Sequence, residues 1–307
     1  MGKYIAKRLL IMIPTLIFIV FVIFCILSCI PNSPGRIILG MNVAEEEVIA
    51  LNEKLGYYDP LPVKFVKYLK DAVQGNFGDS YKYGKPVFQL LMPKFPTTAK
   101  LAFLSMVVSA LIGIPVGIIS AVKKHSLADR TSTVLALLLG SVPGFVLGVL
   151  MILLFSLKLK WLPSNGLGTW KNFVMPVLSL ALPSAAFLSR MTRTTMLDTM
   201  EQDYIRTARA KGCKPMRIVL NHGLRNALMP VVTQLGMSFA GLLGGSMIIE
   251  KVFGLPGFSD TILQAMTTKD VPVIMGSTIF LSAVFMVIML LVDLMYAVLD
   301  PRVGSKY

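Results

Sequence analysis

The stretch LAFLSMVVSALIGIPVGIISAV, residues 101–122, contains no charged side chain and is flanked by Lys100 and Lys123. An α-helix needs about 20 apolar residues to cross a hydrocarbon core of about 30 Å. One charged residue at the centre of such a helix would raise its insertion free energy by roughly 2.5–3.5 kcal/mol. The stretch therefore predicts a membrane-spanning helix.

Five other stretches are equally free of Asp, Glu, Lys and Arg, and they cover residues 9–35, 131–157, 172–189, 226–249 and 271–292. The sequence therefore predicts an all-α polytopic membrane protein with six spanning helices. We place these helices at about 9–30, 101–122, 134–157, 172–190, 227–249 and 272–296. The fourth helix has the shortest window, and it contains Pro176 and Pro183, which kink or shorten a helix.

The composition agrees with a membrane protein. The 307 residues are 55% hydrophobic and only 15% charged, with a mean hydropathy of +0.71, which is too apolar for an ordinary soluble domain. The first window follows basic residues, as in a secretory signal peptide, but it is longer than the 7–15 residues of a cleavable apolar region. We expect an uncleaved signal anchor.

The formal charge of +14 reflects the orientation of the chain in the membrane rather than nucleic-acid binding, because of where its basic residues lie. With the N-terminus inside, 16 of the 30 Lys and Arg residues fall in cytoplasmic segments and five in the two short external loops. The other nine lie in a long external loop, where the positive-inside rule is weak. We therefore expect both termini in the cytoplasm, and contacts between the basic segments and anionic lipid.

Several kinds of chemistry have little support in the sequence. Three isolated cysteines, Cys25, Cys29 and Cys213, form no CxxC pair, and the two histidines are far apart. Residues 78–86, GDSYKYGKP, resemble a phosphate-binding loop, but five residues separate the glycines and a proline stands where Ser or Thr must bind magnesium. We predict no enzyme activity, no cofactor and no metal site, so any energy for uphill movement of a solute must come from another polypeptide.

The predicted spans contain no ionisable side chain in their interiors. Ion-coupled carriers need such groups deep in the membrane to bind and relay the coupling ion. A secondary transporter is therefore a weaker hypothesis than a membrane subunit that is driven by another polypeptide. A membrane scaffold without a transport pathway would show equally apolar helices, and it remains a third hypothesis.

Small residues recur every four positions in the second and fifth predicted helices. This spacing lets helix backbones approach closely, so these positions are either packing contacts or parts of a moving gate. They are Ser109, Gly113 and Gly117 in the second helix, and Ala240 with Gly244 and Gly241 with Gly245 in the fifth.

The loop at residues 191–225 is predicted to be a helix, a break and a second helix. Met196, Met200, Tyr204 and Ala208 recur every four residues and predict one apolar face. Gly212 is suited to end the first helix, and Pro215 prevents it from continuing. The periodicity alone is equally compatible with a helix that lies on lipid headgroups and with a protruding docking helix.

The run DYIRTARAKG at residues 203–212, followed by LRNALMP at 224–230, resembles the EAA loop of ABC importer permeases. Other segments resemble the dipeptide, oligopeptide and nickel branch of that family. They are YIAKRL at 4–9, GNFGDS at 75–80, VFGLPG at 252–257, DVPV at 270–273 and VDLMY at 292–296. The usual Glu of the EAA pattern is Arg206 here, and the usual first Ala is Thr207.

This resemblance implies a type I permease fold with a coupling helix that docks on an ATPase subunit. The docking residues carried over by it are Asp203, Tyr204, Arg206, Ala208, Arg209 and Gly212. It also implies a prokaryotic inner-membrane complex with a homologous second permease, two ATPases that bind ATP and Mg²⁺, and an extracytoplasmic solute-binding protein. One chain would form half of the pathway.

The resemblance also suggests how the chain is divided into domains and what it transports. We expect an N-terminal region, 1–95, with the anchor helix and most of an external loop, then a permease core, 96–300, and a cytoplasmic tail, 301–307. The external loop, 36–100, either contacts the binding protein or only packs on the helices. Short peptides are the expected cargo, and nickel is the alternative within the same branch.

Overall fold

The computed structural model describes residues 2–29 and 33–299. In this part of the chain the regular structure is helical, apart from one isolated β-bridge between Asp79 and Pro86. The predicted tail 301–307, and residues 30–32 around the end of the predicted first helix, lie outside the described residues. The α-helices are α1 Gly2–Ser28, α2 Pro34–Leu39, α3 Glu45–Lys54, α4 Leu61–Val73, α5 Val87–Leu91, α6 Phe95–Val122, α7 Leu127–Ser141, α8 Gly144–Met151, α9 Lys171–Met200, α10 Asp203–Ala210, α11 Pro215–Arg217, α12 Arg225–Gly245, α13 Met247–Val252, α14 Phe258–Thr268 and α15 Val271–Leu299, with π-helical segments at Ile152–Lys158 and Ile218–Leu224.

Five helices among the described residues are long and apolar enough to cross a membrane. A bent pair of helices makes a sixth if it is counted as one span. The prediction of an all-α, polytopic membrane protein is thereby confirmed. The five spans are Arg8–Ser28, Phe95–Val122, Lys171–Met200, Pro215–Gly245 and Val271–Met295.

The third helix, predicted over 134–157, is not one continuous helix in the structure. α7 ends at Ser141, and the segment that starts at Gly144 is bent by 95° relative to it. Val142 is extended (φ −90°, ψ 123°), because the ring of Pro143 disfavours the helical conformation in the residue before it. The predicted span was defined by the absence of charged residues, so it did not detect a break at the uncharged residues Val142 and Pro143.

The fourth predicted helix, 172–190, is too short. α9 has 30 residues, and both prolines lie inside it. Prolines are tolerated in membrane helices where neighbouring structure satisfies the freed backbone groups, and 67% of the most apolar window of α9 is buried, compared with 6% for the first span. The predicted boundary at 190 was set by arginines that the structure places on the continuing helix.

The described residues form two compact units. One contains residues 97–255 and 288–299, and the other contains residues 2–96 and 256–287. The predicted division at residues 95 and 96 stays a prediction. The structure adds that the segment 256–287 groups with the N-terminal residues.

The first unit is built around α9, which packs against α7, α8 and α12. Near the start of α9, Phe173, Met175 and Val177 are buried in a cluster with Leu101 of α6 and Phe253. α9 is therefore the helix against which the other helices of this unit are positioned.

The second unit places α1 against α4 and α15. Val20 of α1 is buried with Met275 and Ile279 of α15. The ring of Phe65 on α4 lies edge-on to that of Phe21, with centroids 5.2 Å apart. Aromatic and aliphatic contacts thus connect the N-terminal helix to part of the loop that follows it.

Two of the predicted small residues lie at close helix contacts. A Cβ atom on Gly113 would lie 2.8 Å from the carbonyl oxygen of Ala185, and one on Gly117 would lie 2.6 Å from that of Ser189. Both neighbours belong to α9. The backbones of α6 and α9 can approach this closely only because these positions lack side chains.

The small residues of α12 are arranged differently. A Cβ on Gly241, Gly244 or Gly245 would meet no atom of the described chain within 4 Å, whereas Ala240 is buried. The close approach on this helix occurs at Gly236, where a Cβ would clash with Val292 of α15. The predicted glycines of α12 thus face open space in this chain.

We predict that Gly117→Ala lowers the free energy of unfolding by about 1–3 kcal/mol, the cost of overpacking a tight contact. The matched control is Gly140→Ala on α7, where a Cβ has open space, and where Ala is a better helix former than Gly by about 1 kcal/mol. Thermal unfolding of the purified protein should separate the two variants. Equal melting temperatures would contradict the assignment of Gly117 to a tight contact.

Candidate functional site

The prediction that Met196, Met200, Tyr204 and Ala208 form one apolar face of a single helix is wrong. α9 continues to Met200, and Gln202 is extended (φ −70°, ψ 151°) before α10 begins at Asp203. Because of this break, Met196 and Met200 lie on α9, while Tyr204 is 44% exposed on α10. Four-residue spacing across the break had suggested a face that does not form.

A different set of side chains packs α10 against the rest of the chain. Ile205 is fully buried and Ala208 is 8% exposed, and both pack in a cluster with Ile218 of the π-helical segment. Met200 and Cys213 pack against the same cluster. Full burial of one Ile stabilises such a seat by roughly 1.5–3 kcal/mol.

The rest of the α10 surface is exposed. Asp203, Tyr204, Arg206 and Arg209 are all exposed, with Tyr204 and Arg209 on either side of the buried stripe. The Arg206 and Asp203 side chains approach to 3.6 Å, but both are largely exposed, so this ion pair contributes little stability. Of the predicted docking residues, Ala208 alone has a buried side chain, and it supports the helix from beneath.

The end of α10 is fixed at Gly212. This glycine has φ +72°, and its N–H donates to the carbonyl of Arg209 at 2.9 Å. The next N–H, of Cys213, donates to the carbonyl of Ala208 at 3.2 Å. This is the Schellman arrangement, which favours glycine because of the left-handed backbone.

An ion pair connects α7 to α9 a few residues before α10. The Arg193 guanidinium donates from Nε to Asp129 Oδ1 at 2.7 Å and from an Nη to Oδ2 at 2.9 Å. Asp129 also accepts from the Ser120 hydroxyl at 2.5 Å and from the His125 N–H at 2.8 Å. A bidentate pair with two further donors fixes both the distance and the orientation of the two helices.

The location of Asp129 also suits the start of α7. Ser126 caps this helix by accepting from the Asp129 N–H, and a carboxylate in the first turn complements the positive end of the helix dipole. Sequence reasoning missed the pair because it placed Arg193 in a loop. The i to i+3 spacing of Ser126 and Asp129 was the available signal.

In the other unit, residues 78–86 form a compact turn around Asp270. The Ser80 hydroxyl donates to Asp270 Oδ2 at 2.5 Å, and the N–H groups of Tyr81 and Lys82 donate to the same carboxylate at 3.1 and 3.2 Å. Burial, and secondarily the Asp270 charge, raise the pKa of Tyr81 to about 12. The donors of this turn thus bind a carboxylate of the chain itself.

Comparison with protein families gives two matches that together cover most of the chain. Residues 113–305 match the family described as binding-protein-dependent transport system inner membrane component. Residues 1–102 match the N-terminal region of such membrane components.

Relatives and solved structures agree with these matches. The glutathione transport system permease protein GsiC of Salmonella typhimurium is 39% identical over 307 residues, and that of Escherichia coli strain K12 is 39% identical over 306 residues; each alignment covers 100% of both chains. The MetNI methionine ABC transporter in an inward-facing conformation has a TM-score of 0.59 at 23% identity, over 69% of this chain and 97% of that one. An amino acid ABC transporter has a TM-score of 0.51 at 18% identity, over 70% and 94%. At these identities the two structures show the fold alone.

We predict that Asp129→Asn destabilises the protein by about 3 kcal/mol, because it removes the charge that balances the partly buried Arg193. The control is Lys124→Gln, which removes an exposed ion pair with Glu201 at 3.7 Å, worth about 0–1 kcal/mol. Thermal unfolding should show a large loss for the first variant only. Similar losses for both would mean that the Asp129–Arg193 pair does not hold the helices together.

Proposed function

Since the chain belongs to the binding-protein-dependent transport system inner membrane components, the permease subunits of bacterial ABC importers, we propose that it serves the import of short peptides. The subunit is non-catalytic, and the family implies ATPase and solute-binding protein partners. The expected type I fold is confirmed by the similarity to solved transporters.

The observation that carries the docking assignment is the arrangement of α10. A short helix packs on the chain through Ile205 and Ala208, and it exposes Tyr204 and Arg209 on either side of that buried stripe. Tyr and Arg are enriched among residues that dominate protein interfaces. We assign the exposed residues Asp203, Tyr204, Arg206, Arg209 and Gly212 to ATPase contact, and Ala208 to support of the helix.

The proposed topology places both termini and α10 in the cytoplasm. The excess of Lys and Arg in the segments on that side supports it. In the proposed assembly, this subunit and a homologous permease each form half of the pathway, and two ATPases and one external binding protein complete the complex. Closure of the ATPases would move α10 and, through it, α9.

The exposed glycines of α12 fit the proposed second permease. Gly241, Gly244 and Gly245 allow close backbone approach, and no described part of this chain occupies the space next to them. We assign them to contact with the partner permease, where a moving gate would also be located. The tight pair Gly113 and Gly117 is instead assigned to packing within the subunit.

The proposed cargo rests on the relatives. The GsiC proteins, identical at 39% of positions over the whole chain, are named for transport of glutathione, which is a tripeptide. This similarity favours a short peptide over nickel as the cargo of this chain.

We predict that Tyr204→Ala combined with Arg209→Ala weakens ATPase binding by about 30-fold, equivalent to about 2 kcal/mol, without loss of folded permease. Binding of the purified ATPase to the permease in detergent measures this change. Lys171→Gln, at the opposite end of α9, is the control and should bind normally. Unchanged ATPase affinity and uptake in the double variant would refute the docking assignment.

For the cargo, we predict vanadate-sensitive, ATP-dependent uptake of di- and tripeptides, including glutathione, by vesicles that contain the complete complex. Labelled nickel should not accumulate, because the proposed pathway carries peptide. Collapse of the proton gradient should leave peptide uptake intact. Uptake of nickel alone would favour the alternative cargo, and accumulation by this subunit alone, without nucleotide, would refute an ATP-driven importer.

A further inference from the structure

An apolar groove runs between α6, α7 and α9, in the unit that carries α10. Its volume is about 350 Å³, within the range of roughly 300–1,000 Å³ of ligand-sized sites. Ile112, Val116 and Ile119 of α6 form one wall, Leu135 lines it from α7, and Ala185 lines it from α9. Leu135 is 56% exposed, so the groove opens on the surface of the unit.

The few polar groups along the groove are already engaged. The hydroxyls of Thr131, Ser132 and Ser189 donate to carbonyl oxygens of their own helices. A peptide in this groove would leave its backbone N–H and C=O groups without partners, at a substantial desolvation cost. A hydrocarbon chain would incur no such cost.

One end of the groove is cationic. Lys123 directly follows the end of α6, four residues after Ile119, and its N–H donates to the Ile119 carbonyl at 3.0 Å. A narrow cleft that shares Val116 and Ser189 with the groove continues to Arg190 and Arg193. One end of the groove thus leads to the arginines of α9, and Lys123 follows the end of the α6 wall.

Two of these basic side chains are available for a ligand. Arg193 is paired with Asp129. Lys123 and Arg190 are exposed, and within residues 2–29 and 33–299 neither forms an ion pair with a carboxylate. The Arg190 guanidinium lies 5.9 Å from the ring centroid of Phe187, which leaves its edge free to donate to an anion.

We propose that this groove binds an anionic phospholipid, with an acyl chain along the α6 wall and the phosphate between Lys123 and Arg190. The groove supplies apolar contact without free donors, and its end supplies unpaired positive charge, which together match the two parts of such a lipid. A second protein helix would match the apolar wall but would need a carboxylate at the cationic end.

The bound lipid would act on coupling, a consequence that rests on the proposed function. It bridges α6 and α9 beside the Asp129–Arg193 pair, and α9 leads directly to α10. Occupancy therefore favours the helix arrangement that positions α10 for the ATPase. Anionic lipid in the cytoplasmic leaflet should raise the peptide-stimulated ATPase activity of the complex.

The test uses the assembled complex in phosphatidylcholine vesicles with and without phosphatidylglycerol. Lipid retained after mild detergent extraction is measured by mass spectrometry, together with ATPase activity. Arg190→Gln removes the phosphate contact and Leu135→Trp fills the groove, so each should weaken phosphatidylglycerol binding roughly tenfold and reduce its stimulation of the ATPase. Arg190→Lys should retain both.

The controls are matched to these changes. Leu138→Trp enlarges another exposed leucine of α7 that does not line the groove, and Lys171→Gln removes a charge at the far end of α9. Both should bind phosphatidylglycerol normally. Equal retention in all variants, equal losses in the controls, or equal retention of phosphatidylcholine would each overturn the proposal.

A further measurement separates lipid from protein. Crosslinking of Leu135→Cys to the partner permease in the assembled complex would overturn the proposal and assign the groove to a subunit interface. ATP-driven peptide uptake that persists in Arg190→Gln leaves the proposed function intact, so the two hypotheses fail independently.

Discussion

The rest of the first unit depends on the ion pair between Asp129 and Arg193. A charged side chain near a membrane-spanning region is tolerated only when it is paired or reaches water. Arg193 lies on α9 seven residues before its end, and Asp129 lies in the first turn of α7. The bidentate contact therefore does two things at once: it allows α9 to continue beyond the apolar region, and it fixes α7 against it.

Extension of α9 gives a physical route from α10, the proposed docking helix, to the membrane. At 1.5 Å per residue, its 30 residues span about 45 Å. Only Glu201 and Gln202 separate its end from α10, and Met200 packs against the cluster that seats α10. So short a connection, with a packed hinge, cannot absorb much displacement. A shift of α10 is therefore passed to α9 and to the helices that pack on it.

The sequence was sufficient for the parts of the structure that depend on average polarity. Apolar windows predicted the polytopic helical fold, and Gly212 with Pro215 predicted the end of α10, because solvation and backbone sterics act locally. The search for charge-free windows failed where a charged residue on a helix is paired with a residue far away in the sequence. Arg193 was read as a loop residue because it is charged, and its compensating partner Asp129 lies 64 positions away. The face of α10 was also misassigned, since a break at Gln202 resets the helical phase and buries Ile205 in place of Tyr204.

The α6–α9 contact shows why docking residues and packing residues are hard to separate by pattern alone. Gly117 and Gly241 both follow small-residue spacing, yet one lies against α9 and the other faces open space. The spacing states that a close approach is possible, and it does not state which chain approaches. In the proposed assembly of two permeases, a small residue without a neighbour in its own chain is best explained by a partner outside the chain. The same reasoning applies to α10, whose Ile205 and Ala208 are buried against its own loop and whose exposed residues we assign to contact with another protein.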